Sequence, residues 1–428
     1  MWARALPHGR AHFYRPSENA IKNLMGTDTD VKHANENQDN SAPGLTINWD
    51  RAGDSNSLHH SGSGKHHHHH RRRSLKRTLM IIVLTLIVIL VSLFVIWRMV
   101  DAAGRKALYQ EKRESAPVLV QLPEEEVEKI SEETITQQPQ IEVENWEEGW
   151  IRYKGNIYAY NQDILNFLIM GIDAKGTVQP AKDYISGGQA DGLYLAVINP
   201  DINKVSLVAI NRNTMVPMDV YDAAGNLLGK YNEQICLAHG YGDGKQLSCE
   251  SQEKVVSELF YNLPIHGYLA MNMGGIIALN DAIGGVTVPE MIYENGEIIY
   301  GENITVLGND AYSYIRKRGK DFDSASYRLE KQKEYLRAFG QKALAEVKKN
   351  PAKAVDLYNA ILPYVVTDLD ISKITYLSGQ ASQYSLNSTI YSLQGNVELN
   401  EDTGYEEFYH DERQLYDMMI ELFYKRVE

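Results

Sequence analysis

The sequence predicts an α/β domain, a mixed central β-sheet flanked by helices, carried behind a single transmembrane helix. Three observations predict it. Nineteen consecutive residues, Leu79 to Trp97, hold no charge. From about Tyr153 onward, strand-like apolar runs alternate with segments of helical spacing. The 428 residues are 43% hydrophobic and 23% charged, ordinary globular usage, which excludes a wholly disordered chain and a polytopic membrane protein.

Residues 1–78 are rich in Asn, Asp, Ser, Gly and His and lack apolar periodicity, so they read as a disordered cytoplasmic tail. The run His66 to His70 reads as a polar, weakly cationic tract beside a basic flank. Residues 79–97 span about 28 Å as a helix, close to the hydrocarbon core of a bilayer. Lys65, Arg71, Arg72, Arg73, Lys76 and Arg77 precede them, and only Arg98, Arg105 and Lys106 follow closely. The positive-inside rule therefore places the N-terminus in the cytoplasm and everything after residue 97 outside the cell membrane. Residues 98–150 are expected to form an acidic stalk with little core-forming pattern, and residues 151–428 an extracellular folded domain. The net charge of −13 hides a split: residues 1–78 carry +5 and the remainder −18, which argues against a nucleic-acid partner.

Within the domain, 164–173 is an apolar strand ending in Gly-Ile-Asp. Residues 192–200 and 204–212 are two more strands joined by a tight Pro200-Asp201 turn. Residues 252–263 are helical by spacing, Ile265 to Met271 is a strand, and 274–283 is a helix stopped by Gly284-Gly285. VTVP (286–289) is a strand, and 309–318 and Tyr327 to Lys348 are helices. Pro351 to Leu362 and Glu412 to Lys425 are helical, with Leu415, Met419, Leu422 and Phe423 as the packing face of the last. Residues 385–393 are a strand.

Asp173 follows its strand directly, where polar residues of an open α/β sheet tend to line the ligand crevice. Asp191 precedes the next strand and Arg212 ends the third. Arg316 and Arg318 stand two apart at a helix end, and Arg328 and Gln332 share a face of the following helix. Together they offer two carboxylates to a hard divalent cation and four arginines to phosphate. Two cysteines exclude a four-Cys zinc site and an iron–sulfur cluster. Cys236 and Cys249, thirteen apart in an exported domain, favour a disulfide. His239 and His266 read as packing residues, because neither has a nucleophile or carboxylate at a recognisable spacing.

The ordered motifs NFLIMGID, QADGLYLAVINP, VSLVAINRNTMVPM, YNEQICLAHGYGDG, LPIHGYLAMNMGGIIALNDAIGGVTVPE and LGNDAYSYIRKRGKDFDSASYRLEKQKEYL resemble those of the LytR–CpsA–Psr family, over about residues 160–340. The resemblance implies a Mg²⁺-dependent (or Mn²⁺-dependent) phosphotransferase. Such an enzyme moves a glycopolymer, teichoic acid or capsule polysaccharide, from a polyprenyl-pyrophosphate carrier to peptidoglycan as a phosphodiester. It implies Asp173 and Asp191 as metal ligands. It implies Arg212, Arg316, Arg318, Arg328 and Gln332 as the pyrophosphate grip, with Asp191, Arg212, Arg316 and Arg318 catalytic. The prenyl tail is expected in an apolar tunnel between sheet and helices, and Asp191 is the carboxylate expected to take the acceptor's proton. Two positions depart from the family's pattern: Asn213 stands where Asp is usual and Gln189 where Arg is often found. They keep two other readings open, a hydrolase of the carrier pyrophosphate and a non-catalytic envelope protein that binds carrier lipid or polymer. For the transferase, alanine at Asp191 or Arg316 is expected to lower transfer by orders of magnitude with the fold intact.

Overall fold

The computed structural model describes residues 71–110, 116–119, 147, 149–294, 297–316 and 324–427. The expected tail with its His66–His70 run, and most of the expected acidic stalk, lie outside the described residues. The chain divides into two units, Met1–Ile89 and Leu90–Glu428. The first is described only from Arg71, as the start of α1 (Arg71–Gln110). Among the described residues one helix is long and apolar enough to cross a membrane, Met80–Tyr109, and its most apolar stretch is wholly exposed, unlike a core helix. The helix continues past Trp97, where the apolar run ends, to Gln110.

In the second unit β1 (Trp150–Tyr153) and β2 (Asn156–Tyr160) precede β3 (Leu165–Ile172), β4 (Ala190–Asn199) and β5 (Lys204–Ile210). A hairpin of β6 (Met215–Tyr221) and β7 (Leu227–Gln234), a 3-10 turn (Ile235–Gly240) and α2 (Gln246–Leu259) lead to β8 (Gly267–Asn272) and α3 (Met273–Ala282). Then come β9 (Val286–Glu294), β10 (Glu297–Val306), α4 (Asn309–Arg316), α5 (Ser324–Lys349) and α6 (Ala352–Ile361). The chain closes with β11 (Val365–Thr367), α7 (Ile371–Gln380), β12 (Ser385–Ser392), β13 (Gly395–Leu399), β14 (Glu406–His410), α8 (Glu412–Phe423) and β15 (Tyr424–Arg426).

The central sheet has six strands in the order β11-β8-β3-β4-β5-β12. β8 runs parallel to β3, and β12 parallel to β5, while β4 lies antiparallel between β3 and β5, so the sheet is mixed as expected. The three central strands are apolar without alternation because both their faces are covered. Leu168, Met170, Leu193, Leu195, Val208 and Ile210 face one core, shared with Val255 and Val256 of α2 and with Leu415 and Met419 of α8. Leu165, Phe167, Tyr194, Ala196, Leu207 and Ala209 face the other, shared with Leu108 of α1, Leu329 and Leu336 of α5, and Leu377 of α7. Each Leu, Ile, Val, Phe or Met side chain among them contributes about 1.5–3 kcal/mol on full burial.

The end of α1 is thus part of this core. Leu108 is 2% exposed, Tyr109 meets the Tyr376 ring edge-on, and Gly104 lies so close to Ser372 that a Cβ there would collide with its carbonyl.

Some element ends differ from expectation. α2 starts six residues earlier than the helical spacing predicts, in the polar segment Gln246–Ser251, where apolar periodicity carries little signal. The strand expected at 286–289 extends to Glu294 because β10 pairs with it. The final helix stops at Phe423 instead of Lys425, since Tyr424–Arg426 pair with β2 as an edge strand. The packing face of α8 is as expected: Leu415, Met419, Leu422 and Phe423 are all buried.

Candidate functional site

Three consecutive strand ends meet at one end of the sheet, and each carries one of the singled-out residues. Antiparallel pairing sets Gly171 opposite Gly192 and Ile210 opposite Leu193, so the C-terminal ends of β3 and β5 flank the N-terminal end of β4. Asp173 follows β3, Asp191 lies in the first turn of pleat of β4, and Arg212 follows β5. A register shift after Gly171 lets the backbone N–H groups of Asp173 and Asp191 both donate to the Gln189 carbonyl, at 2.9 and 3.1 Å. That shared carbonyl ties the two aspartates to one loop.

Arg212 is aimed by a tight turn. The Asn213 N–H donates to Asn211 Oδ1 at 3.0 Å, and Thr214 Oγ1 donates to the Asn211 carbonyl at 2.6 Å. Side-chain hydrogen bonds of this kind are what favour Asn and Thr at turns. The arginine then reaches back to Asp191 Oδ1. Its Nη2 donates to Gln189 Oε1 at 2.7 Å and to Cys236 Sγ at 3.1 Å. Its Nε is buried without a hydrogen-bond partner among the described residues. Burial disfavours the charged Arg212, but its hydrogen bond to Cys236 and the Asp191 carboxylate more than offset it, and its pKa lies above the ordinary value.

Arg328, on the first turns of α5, donates from Nη1 to the other Asp191 oxygen, Oδ2, at 3.2 Å. The side chains of Arg328 and Asp191 are 3% and 5% exposed, and that of Arg212 is 14%. One buried carboxylate therefore sits between two guanidinium groups. Nearer solvent, Arg316 at the C-terminal end of α4 pairs with Asp173 at 2.9 Å, with 36% and 35% of the side chains exposed. Tyr312, one turn earlier, accepts a hydrogen bond from Arg316 and lies under its guanidinium, 5.5 Å from ring centre to Cζ. The Tyr312 hydroxyl is the main influence raising the Arg316 pKa. Gln332 accepts a hydrogen bond from the Tyr194 hydroxyl at 3.1 Å.

Of the residues singled out in the sequence, Asp173, Asp191, Arg212, Arg316, Arg328 and Gln332 gather at this end of the sheet. Arg318 lies outside the described residues. Cys236, Tyr194 and Tyr312 were missed. Only Tyr312 had a local signal, four residues before Arg316 on one helix face.

The two departures from the family's pattern acquire different explanations. Gln189 supports Arg212 directly. Asn213 faces away from the arginines: its Nδ2 points to Glu406 Oε2 at 3.5 Å and its carbonyl accepts from the Phe408 N–H at 2.9 Å. An aspartate here would set two carboxylates against each other, so the amide is the better fit.

The expected disulfide is absent: Cys236 and Cys249 are both free thiols. Cys236, on the 3-10 turn, faces Arg212, whereas Cys249, on α2, lies 3.8 Å from His239 Nε2, so the two sulfurs serve different neighbours. The histidines pack as expected. His239 Nδ1 lies 3.1 Å from the Gly188 carbonyl and so carries the proton there, and His266 Nδ1 accepts from the Asn166 N–H.

Among the described residues no group of three or more His, Cys, Asp or Glu side chains is arranged to hold a metal ion. Two carboxylates are too few for an all-protein cage. They are enough for Mg²⁺, which commonly keeps its waters and takes one or two carboxylates with substrate phosphate oxygens. Both carboxylates are ion-paired, Asp173 with Arg316 at a partly exposed position and Asp191 with Arg212 and Arg328 in the interior. Chemically, the cluster can bind an anion with several oxygens through its guanidinium groups.

The model of the LytR_cpsA_psr family matches residues 122–423. The chain is 27% identical over 245 residues to the polyisoprenyl-teichoic acid–peptidoglycan teichoic acid transferase TagU of Oceanobacillus iheyensis, covering 55% of this chain and 69% of that protein. It is 27% identical over 251 residues to the TagU of Enterococcus faecalis, covering 56% and 76%. Among solved structures, the protein gbs0355 from Streptococcus agalactiae aligns at 21% identity with a TM-score of 0.48, covering 60% of this chain and 86% of the other.

Proposed function

The chain belongs to the LytR_cpsA_psr family, and on that premise we propose that it is a membrane-anchored phosphotransferase that moves a glycopolymer from a polyprenyl-pyrophosphate carrier to peptidoglycan. The observation that carries the reading is the convergence of Asp173, Asp191, Arg212, Arg316, Arg328 and Gln332 at one end of the sheet. The names of its relatives as teichoic acid transferases support the same class of reaction. The apolar helix serves as the anchor, and the basic residues on its N-terminal side favour a cytoplasmic N-terminus and an extracellular domain.

The acceptor sugar hydroxyl attacks the phosphorus nearest the glycopolymer, in line with the bridging oxygen. A new P–O bond forms, the bond to that oxygen breaks, and polyprenyl phosphate leaves with the electron pair. Such a transfer needs positioning and charge neutralisation rather than a protein nucleophile. Arg212, Arg316 and Arg328 hold the pyrophosphate oxygens, with Arg318 assigned there by family resemblance alone. Gln332, fixed by Tyr194, adds an amide donor. Asp173 and Asp191 would hold Mg²⁺ (or Mn²⁺), which supplies further neutralisation of the phosphate charge. Asp191, set between Arg212 and Arg328, is in addition the counter-ion that keeps the two arginines together. Asp173, about one third exposed, is the carboxylate an acceptor hydroxyl can approach, and it takes the proton in place of Asp191.

The test uses the full-length chain in detergent micelles with a pyrophosphate-linked lipid–glycan, a peptidoglycan oligomer and Mg²⁺, followed by mass. A metal-dependent glycan–peptidoglycan phosphodiester is the expected product. Release of polyprenyl phosphate with no attached glycan would make it a hydrolase. Tight donor binding with no product from any donor and acceptor would make it a binding protein.

A further inference from the structure

We propose that Cys236 is a positioning residue for Arg212: its thiol accepts a guanidinium N–H and fixes the plane in which Arg212 meets the donor's pyrophosphate. The inference rests on the reading above, that Arg212 grips that group. Cys236 is wholly buried, so its contacts are with protein alone. Its sulfur lies 3.1 Å from Arg212 Nη2, and the same nitrogen donates to Gln189 Oε1 at 2.7 Å. With Asp191 on Nη1, the guanidinium is held by three partners, which fix the orientation of its plane.

The turn bearing the thiol is itself clamped. The Cys236 N–H donates to the Arg212 carbonyl at 3.2 Å. Gln252, a buried residue of α2, donates to the Ile235 carbonyl at 3.0 Å and accepts from the His239 N–H at 3.1 Å, holding both ends of the 3-10 turn. A chain of contacts thus runs from α2 through the turn to the arginine.

Sulfur suits the place because it is a weak acceptor. A third carboxylate would quench the arginine's charge. A neutral thiol orients it and leaves the charge for phosphate. Burial holds the Cys236 pKa above its ordinary value even beside Arg212, so the group stays a thiol at neutral pH.

The experiment measures binding of farnesyl pyrophosphate with Mg²⁺ by calorimetry, on the full-length chain and its variants Cys236→Val, Cys236→Ser and Arg212→Ala, with thermal unfolding of each. Valine fills the volume and cannot accept a hydrogen bond; serine restores an acceptor. In Cys236→Val, Kd should rise about tenfold, as expected from losing one hydrogen bond to a charged group. In Cys236→Ser most of that loss should be recovered, with Tm little changed in both. In transfer assays the effect should fall on KM for the lipid-linked donor and on kcat, leaving KM for the peptidoglycan acceptor unchanged. If Cys236→Val unfolds the turn, Cys236→Ala takes its place. Wild-type affinity in Cys236→Val, or equal losses in the valine and serine variants, overturns the inference while the site stands. Wild-type affinity in Arg212→Ala overturns the site and the inference with it.

Discussion

Replacing Asp191 by alanine strips the carboxylate from between two guanidinium groups, and its effect should be read first as stability. Arg328 is 3% exposed, Arg212 14%, and Asp191 itself 5%. Removing one partner of a buried ion pair costs about 3–5 kcal/mol, mostly the penalty of leaving a charge buried and uncompensated. The matching substitution at Asp173 breaks a pair whose side chains are 36% and 35% exposed, and such pairs are worth under about 1 kcal/mol. In thermal unfolding of the full-length chain in micelles, followed by near-ultraviolet circular dichroism, Asp191→Ala should lower Tm by on the order of 10 °C and Asp173→Ala by less than about 3 °C. Adding Arg328→Met to Asp191→Ala should return part of the loss, because an apolar side chain removes a buried charge that has lost Asp191. Equal shifts for the two aspartates, or no recovery in the double variant, would refute the counter-ion argument. Asp191→Ala thus cannot leave the fold undisturbed, as the sequence led one to expect. A loss of transfer in that variant counts as chemistry only after its folded fraction is known.

Arg316→Ala, in contrast, removes a partly exposed side chain and should keep Tm within a few degrees while transfer falls about 100-fold, the scale of losing one preorganised donor; unchanged turnover would take Arg316 out of the site. His239 should give a pH-dependent stability. Its burial, only partly offset by hydrogen bonds to the Gly188 and Gly187 backbone, holds its pKa below the ordinary value, so the unfolded chain binds the proton more tightly. Stability is then complete above about pH 6.5 and declines as the pH falls below it; His239→Asn should flatten the slope of Tm between about pH 6.5 and 5. Gly104→Val should drive a side chain into the Ser372 carbonyl and cost about 1–3 kcal/mol, read as a fall in Tm with Leu108 and Tyr109 displaced from the core. An unchanged Tm would mean that the end of α1 is not seated there.

The central strands and the long apolar helix were legible because their signals are local. Eight residues with Asn166 as the one polar side chain mark β3, and nineteen uncharged residues mark the apolar part of α1. The apolar face of α8 follows from spacing alone. The β6–β7 and β13–β14 hairpins and the edge strand β15 gave no such signal. β7, β13, β14 and β15 lie in largely polar segments whose strand character comes from their pairing partners, as Tyr424–Arg426 does from β2, while β6 buries Val216, Met218 and Val220 in an alternation that passed unread.

The same division holds for the site. Its residue types were readable from the sequence, and so, through family resemblance, were the positions of its aspartates and arginines. By itself the sequence determined an α/β chain behind a long apolar helix, bearing those carboxylates and guanidinium groups at element ends, since periodicity and turn chemistry are properties of neighbours along the backbone. Only the tertiary structure decided which charge meets which. Asp191 and Arg328 are 137 residues apart, and nothing in either segment says that one buried carboxylate serves two arginines, or that Cys236 turns to Arg212 and not to Cys249. Those pairings are set by the register of β3, β4 and β5 and by the packing of α2, α4 and α5 around the strand ends. They are properties of the folded whole, because a side chain's partner in space is fixed by every element that lies between them.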